Sequence, residues 1–352
     1  MKNAILASSF LPTSAVFEMT YECNHTCLFC SCPWYAPESN YKQNNELTIE
    51  EWKNCAKKTV EMGVSSISYT GGEPLMKKGI EELIEYTASL KAKHINKNLE
   101  TEIIPPHQYL ISNGQLMTDD ILKLVKKHNI NLSLSLPGLK TYHEHTQFGE
   151  PDTILKWLTK AKKVGITTTV NITATKRNIH ELYETISNAL IAGADTLLLN
   201  RFLPGGRGLK YVKELFLKED QVLQIIEIAN EVLTKANRKG SVGTELPKCI
   251  LKDKQFSNLE VGTQCSAGIE FFVIGPEGNI RTCNHSPVQL NHYTEIYNIK
   301  DNDYWKKFVF KDYLPHMCID CNLIYQCDGG CREAAHVFSG NLDSNDPVFI
   351  LK

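Results

Sequence analysis

The sequence predicts an α/β fold: a partial (β/α)6 TIM-like barrel followed by a small cysteine-rich domain. Three observations carry that prediction. Short β-branched runs alternate with amphipathic helical runs over the first two thirds of the chain, and such alternation implies a parallel sheet, since each crossover helix returns the chain in the same direction. About six units can be counted, too few to close an eight-stranded barrel. After residue 239 the alternation stops, and cysteines, glycines and short apolar runs take its place.

The expected strands cover 15–21, 65–70, 108–112, 131–136, 167–173 and 196–202. Helices are expected at 48–62, 79–93, 118–128, 153–164, 179–192 and 218–238. Thr48 precedes Glu50 and Glu51 and so suits a helix start, with Gly63 as its stop. Thr118 precedes Asp119 and Asp120, which favour the positive end of a helix. The chain thus divides into a core at 1–239, a bridging segment at 240–264, a cysteine-rich domain at 265–340 and a polar tail at 341–352, expected to be an exposed extension.

With 352 residues, 42% of them hydrophobic, the chain is long enough for about two domains and a sizeable core. A net charge of -2 gives no basic field to attract nucleic acid or an anionic membrane. No apolar run is long enough to span a bilayer. The first twelve residues hold a short apolar stretch broken by Ser8, Ser9 and Pro12, which is no signal peptide. A soluble cytoplasmic protein is therefore expected, with reduced thiols. In that setting twelve cysteines point away from a disulfide framework and towards metal.

Four of those cysteines lie at 23–32, one at 55 and seven between 249 and 331. Directly after the first expected strand runs Cys23-Asn-His-Thr-Cys27-Leu-Phe-Cys30. Three close thiolates hold three irons of a 4Fe–4S cube, which normally takes four ligands. Cys32, one residue beyond Ser31 and before Pro33, is poorly placed to be the fourth, so one iron stays open. Structural zinc would pair Cys-x2-Cys with a distant second pair, and His25 reads as an exposed loop residue. The loop, with Phe29 before its third cysteine, resembles that of radical SAM enzymes, in which S-adenosylmethionine chelates the open iron.

Gly71-Gly72-Glu73-Pro74 follows the second strand. Glycines permit close backbone approach, and a neighbouring carboxylate accepts from an ammonium group. The resemblance implies that this segment receives the amino group of the methionine moiety; alone it would read as a strand-to-helix turn. Ser112-Asn113-Gly114 resembles the family's polar turn after the third strand. Ser133 and Ser135 share one face of the fourth strand, and the resemblance implies contacts to the ribose or the methionine carboxylate. Asn171, Thr173, Asn200 and Arg201 end the fifth and sixth strands and are candidates for the same cavity, or ordinary strand-end residues. Two departures, Leu136-Pro137-Gly138 in place of the common Asp-Gly and Gln147 in place of a common arginine, leave the carboxylate ligand unassigned.

Near the C-terminus, Cys265 is followed after twelve residues by Gly278 and after four more by Cys283. Cys318-x2-Cys321-x5-Cys327-x3-Cys331 comes later. This resembles the SPASM extension, which carries two auxiliary 4Fe–4S clusters. The resemblance implies that Cys265, Cys283 and Cys331 hold one and Cys318, Cys321 and Cys327 the other, with Cys249 a candidate extra ligand for the first. No cysteine follows Cys331, so the second has an oxygen or histidine ligand, with His336, Asp343 and Asp346 as candidates, or an open iron, or is absent. A zinc ribbon is the plain alternative. Cys55, inside an expected helix, reads as buried packing.

The resemblance implies reductive cleavage of S-adenosylmethionine to a 5′-deoxyadenosyl radical, with an electron from a flavodoxin- or ferredoxin-type donor, then hydrogen abstraction from substrate. The expected substrate is a peptide or protein side chain, as in ribosomal peptide maturation. The chain begins shortly before its first strand, so a separate leader-peptide-binding protein is expected as partner. Sulfatase-maturing members carry aspartate where this chain has Asn284, which counts against formylglycine formation. Remaining alternatives are a tetrapyrrole side-chain oxidase of the haem-synthesis type and a non-catalytic metal-binding module. Arg201 or Arg207 would hold a substrate carboxylate in either enzyme. No catalytic acid or base is assigned.

Overall fold

In the computed structural model residues 11–351 are described; the expectation of no signal peptide falls mainly on residues outside them. The barrel begins with β1 (Ser14–Glu18), α1 (Ile49–Glu61), β2 (Ser66–Thr70) and α2 (Ile80–Ser89). Thr48 starts α1 as expected, its hydroxyl accepting from the Glu51 N–H at 3.3 Å while the Glu51 carboxylate accepts from the Thr48 N–H at 2.7 Å. Helix α2 stops short of its expected end. Residues 92–104 turn instead into an antiparallel hairpin, β3 (Ala92–Ile95) and β4 (Thr101–Ile104). Asn96 makes that turn, its side-chain oxygen accepting from the N–H groups of Asn98 and Glu100 at 2.9 and 3.0 Å.

The alternation then resumes with β5 (His107–Ser112), α3 (Asp119–Lys127), β6 (Asn131–Ser135), α4 (Pro151–Lys163), β7 (Thr168–Ala174), α5 (Leu182–Ala192), β8 (Thr196–Arg201) and α6 (Glu219–Ala236). All six core strands fall on their expected segments. Their period-two pattern divides the molecule into layers. On β1, Ala15 and Phe17 are fully buried in the core, Phe17 lying 5.0 Å from the Trp52 ring of α1. Val16 and Glu18 point the other way, into the interior cavity.

The regions expected as bridge and separate domain are continuous with this sheet. β9 (Lys239–Val242) and β10 (Leu259–Val261) extend it beyond β8, and β11 (Phe271–Ile274) pairs in parallel with β1. β12 (Ile280–Arg281) returns antiparallel to β11, giving the order β10-β9-β8-β7-β6-β5-β2-β1-β11-β12. The partial barrel is therefore lengthened at both edges by the C-terminal part of the chain. Strands of two to four residues are too short to show a period, which is why the sequence reads them as texture without structure. Helices α7 (Asp303–Val309) and α8 (Arg332–Ser339) follow the sheet, and a short helix (Pro347–Ile350) ends the described chain. The tail is anchored, contrary to expectation: Asp346, Pro347 and Val348 are buried.

Candidate functional site

The loop after β1 is held at several points by backbone hydrogen bonds. The N–H groups of Gly72 and Glu73 donate to Thr20 O and Glu22 O, both at 2.8 Å. Leu28 N–H donates to His145 O at 2.9 Å, and Gly208 N–H to Cys30 O at 3.1 Å. Gly71 has φ +132°, and a Cβ on Gly72 would overlap the Glu22 carbonyl. The Gly-Gly pair is thus required first by the protein's own loop, which crosses the end of β2 in backbone contact.

Glu73 is buried, and its carboxylate binds three donors of the chain. Ser112 Oγ donates at 2.7 Å and Leu75 N–H at 3.2 Å to one oxygen, while Asn113 N–H donates at 2.8 Å to the other. Burial pushes the carboxyl up to about 7 against those bonds. The side chain expected to meet an ammonium therefore also clamps the end of β2 to the end of β5. Asn113 reaches the cluster loop itself, its Nδ2 donating to Asn24 Oδ1 at 2.7 Å. Pro74 opens a short 3-10 turn (Pro74–Met76).

A cavity of about 460 Å³ opens over these strand ends. Cys23, Cys27 and Cys30 line it, as do Gly71, Gly72, Glu73, Asn113, Ser135, Asn171 and Arg201. Ser135 and Asn171 are partners in register on β6 and β7, and Asn200 donates to Asn171 Oδ1 at 2.9 Å. Ser133 is buried on the same face of β6 two residues below Ser135, and its hydroxyl has no hydrogen-bond partner among the described residues.

Burial raises the Cys27 thiol well above its ordinary value and pushes Cys23 up to about 11. Cys30 moves down to about 7, chiefly through a hydrogen bond from the Cys32 thiol. Cys32 also lies 3.6 Å from Gly71 O. The guanidinium of Arg207 favours all four thiolates; it donates to Cys27 O at 3.2 Å and stacks 4.4 Å over the Tyr35 ring. Arg207 thus binds the cluster loop, a role its glycine-rich surroundings did not disclose.

Several expectations are corrected. His25 is 3% exposed, with its ring near Tyr142 and its basicity lowered by burial to about 4. Arg201 lines the cavity, but its fork is occupied by Asp346, at 2.9 and 2.6 Å. Only its Nε–H lacks a partner among the described residues. Cys55, by contrast, is buried in α1 as expected.

The C-terminal cysteines form two groups. Cys265, Cys283 and Cys331 line the same cavity as the N-terminal three, together with Glu245, Asn284 and Glu333. Burial holds the Glu245 carboxyl above its ordinary value, and Asn284 donates to the buried Glu18 at 2.9 Å. Cys318, Cys321 and Cys327 gather outside the cavity. Cys249 stands with this second group, its neighbour Lys248 donating a backbone N–H to Cys327 Sγ at 3.3 Å, and burial with the nearby Cys327, Cys318 and Cys321 raises its thiol. Asp346 and His336, candidates to complete that group, are engaged elsewhere: Asp346 with Arg201, His336 with Glu333 and Tyr304 at 3.0 Å each.

These residues fit an iron–sulfur cluster with a polar organic ligand. Soft thiols converge on the cavity, and Ser133 Oγ, Arg201 Nε and His25 Nε2 are buried polar atoms without partners among the described residues. No three His, Cys, Asp or Glu side chains among the described residues converge as tightly as a single metal ion requires.

Residues 17–189 match the Radical SAM superfamily. The chain is 24% identical to the PqqA peptide cyclase of Bradyrhizobium diazoefficiens, covering 99% of this chain and 89% of the relative. It is equally similar, at 24%, to the mycofactocin maturase MftC of Mycolicibacterium smegmatis, over 96% of this chain and 82% of that one. Among solved structures, Streptococcus suis SuiB bound to S-adenosylmethionine superposes with a TM-score of 0.72 at 19% identity, over 97% of this chain and 79% of SuiB. Native anSMEcpe with bound AdoMet gives 0.71 at 18% identity, over 96% of this chain and 95% of that one. At these identities the structural likeness shows a shared fold.

Proposed function

We propose, from the premise that this chain is a radical SAM enzyme of the SPASM type, that it matures a ribosomally made peptide by oxidising one of its side chains. The observation that carries this reading is the shared cavity: Cys23, Cys27 and Cys30 face the same space as Cys265, Cys283 and Cys331. A side chain entering that space meets both groups. The relatives named as peptide cyclase and maturase, and SuiB crystallised with its precursor peptide, support a peptide as the occupant.

Cys23, Cys27 and Cys30 would hold the cluster that binds S-adenosylmethionine. Gly71, Gly72, Glu73, Asn113, Ser133, Ser135 and Asn171 would surround the nucleoside and methionine parts. When bound, these cofactors supply a 5′-deoxyadenosyl radical able to take hydrogen from an unactivated carbon. The strands wall that space from water, and Asn200 fixes the Asn171 amide towards it. A net two-electron oxidation of the side chain would release one hydrogen atom, one electron and one proton, and Cys265, Cys283 and Cys331 would hold the cluster able to take up the electron. Glu245, half-buried in the cavity wall beside Cys265 and Cys331, is the group placed to receive that proton. Arg201, committed to Asp346, orients the wall and leaves only Nε–H for a ligand.

A flavodoxin- or ferredoxin-type donor would supply the reducing electron, and a separate protein would present the leader segment of the peptide. No helix among the described residues is long and apolar enough to cross a membrane, and the many free thiols suit the reducing cytoplasm. The deciding experiment measures 5′-deoxyadenosine release by the anaerobically reconstituted, reduced protein, with the Cys23/Cys27/Cys30→Ala variant alongside. Cysteine-dependent release, stimulated by a peptide encoded with the enzyme, is expected. Stimulation by a porphyrin and by no peptide would replace this reading with the tetrapyrrole oxidase.

A further inference from the structure

We propose that Cys249 is the fourth thiolate of the second auxiliary cluster, closing a set with Cys318, Cys321 and Cys327. This rests on the reading that the chain carries auxiliary clusters at all. The spacing of the C-terminal cysteines leaves the second group one ligand short, and within the sequence given no cysteine follows Cys331. The tertiary structure brings the missing one from the opposite direction along the chain.

Cys249 sits in a short 3-10 helix (Lys248–Leu251) that follows Pro247. Its neighbour Lys248 donates its backbone N–H to Cys327 Sγ at 3.3 Å, across 79 positions of sequence. Gly329 N–H donates to the same sulfur at 3.3 Å, and Leu323 N–H to Cys321 Sγ at 3.4 Å. Backbone donors aimed at sulfur are a lever by which a protein tunes and stabilises cluster thiolates. Two glycines let the turn close. Gly329, at φ +73°, has no side chain to strike Pro315, 2.8 Å from where a Cβ would stand. Gly330, at φ +94°, leaves room for the Asp346 carboxylate, and Pro247 lies 2.9 Å from where its Cβ would stand. The helix bearing Cys249 and the turn between Cys327 and Cys331 are therefore built against each other.

Of the three rival ligands, Asp346 and His336 are engaged elsewhere and Asp343 is exposed. Asp346 binds Arg201 together with the N–H groups of Cys331 and Val348. His336 binds Glu333 and Tyr304. Asp328, between Cys327 and Cys331, accepts from Cys265 N–H at 2.7 Å and from Lys311 at 2.9 Å. A division of labour follows. The group of three thiols faces the cavity and leaves an iron open there, while the group of four is saturated, lies outside the cavity and passes electrons without binding substrate. The four thiols would also suit zinc by type, but they lack the tight convergence of a single-ion site.

The test compares the anaerobically reconstituted wild type with Cys249→Ala, Cys249→Ser and Asp343→Ala, by iron and zinc analysis and electron paramagnetic resonance. The wild type is expected to hold about twelve irons per chain. Cys249→Ala should lose one to four of them and, on oxidation, show a 3Fe–4S signal absent from the wild type. Cys249→Ser, with an oxygen ligand, should keep its irons and shift the signal. Because Cys249 is exposed, neither variant should disturb folding. An unchanged iron count and spectrum in Cys249→Ala, or the 3Fe signal in Asp343→Ala instead, would overturn the assignment of Cys249. A wild type with about four irons, or with zinc on these thiols, would overturn the auxiliary-cluster reading itself.

Discussion

The guanidinium of Arg201, at the end of β8, is gripped by the carboxylate of Asp346, 145 positions later, through two hydrogen bonds of 2.9 and 2.6 Å. Both side chains are buried, and Asp346 also accepts from the N–H of Cys331 at 2.8 Å. One carboxylate therefore fastens the tail, a barrel strand and the backbone of Cys331. Removing one partner of a buried pair leaves an uncompensated charge. Asp346→Ala should destabilise the fold by about 3–5 kcal/mol in urea titration, and the double variant Arg201→Met with Asp346→Leu should recover most of that loss. Equal losses in single and double variants would show that the pair is not the anchor.

Gly72 has no room for a side chain, because the loop carrying Cys23 passes over it in backbone contact. Gly72→Ala should cost about 1–3 kcal/mol. It should also displace the cluster loop, lowering iron by about four per chain. Full iron content in a folded Gly72→Ala protein would refute the packing argument.

Glu73 makes a pH dependence. Its folded pKa, about 7, lies above its ordinary value of 4.5, so its contribution favours the fold most below that ordinary value. The contribution is lost as pH rises through about 7, amounting to roughly 3 kcal/mol. Denaturant midpoints of the cluster-free protein should fall between about pH 5 and about pH 8, and this component should be absent in Glu73→Gln. Parallel pH profiles in the two proteins would contradict the assigned shift.

Arg207 favours the thiolate forms of Cys23, Cys27 and Cys30. In the cluster-free protein, Arg207→Ala should slow alkylation of these cysteines at fixed pH, followed by mass spectrometry. Arg207→Lys should restore the charge without the planar stacking on Tyr35. Alkylation at the wild-type rate in the alanine variant would separate Arg207 from the thiols.

What the sequence by itself determined is local. Periodicity placed the six core strands, and the spacing of Cys23, Cys27 and Cys30 named the chemistry, because both are written within a few consecutive residues. The turn Gly71-Gly72-Glu73 was legible for the same reason, although its glycines are needed by the chain's own backbone. Pairings between distant segments were not legible. His25 looked like an exposed loop residue until the loop folded onto Tyr142. Strands β9 to β12 are too short to carry a period and exist because neighbouring strand edges need hydrogen-bond partners. Only the tertiary structure decided that Arg201 answers to Asp346 and that Cys249 stands with Cys327, since contacts between remote residues leave no periodic trace in the chain.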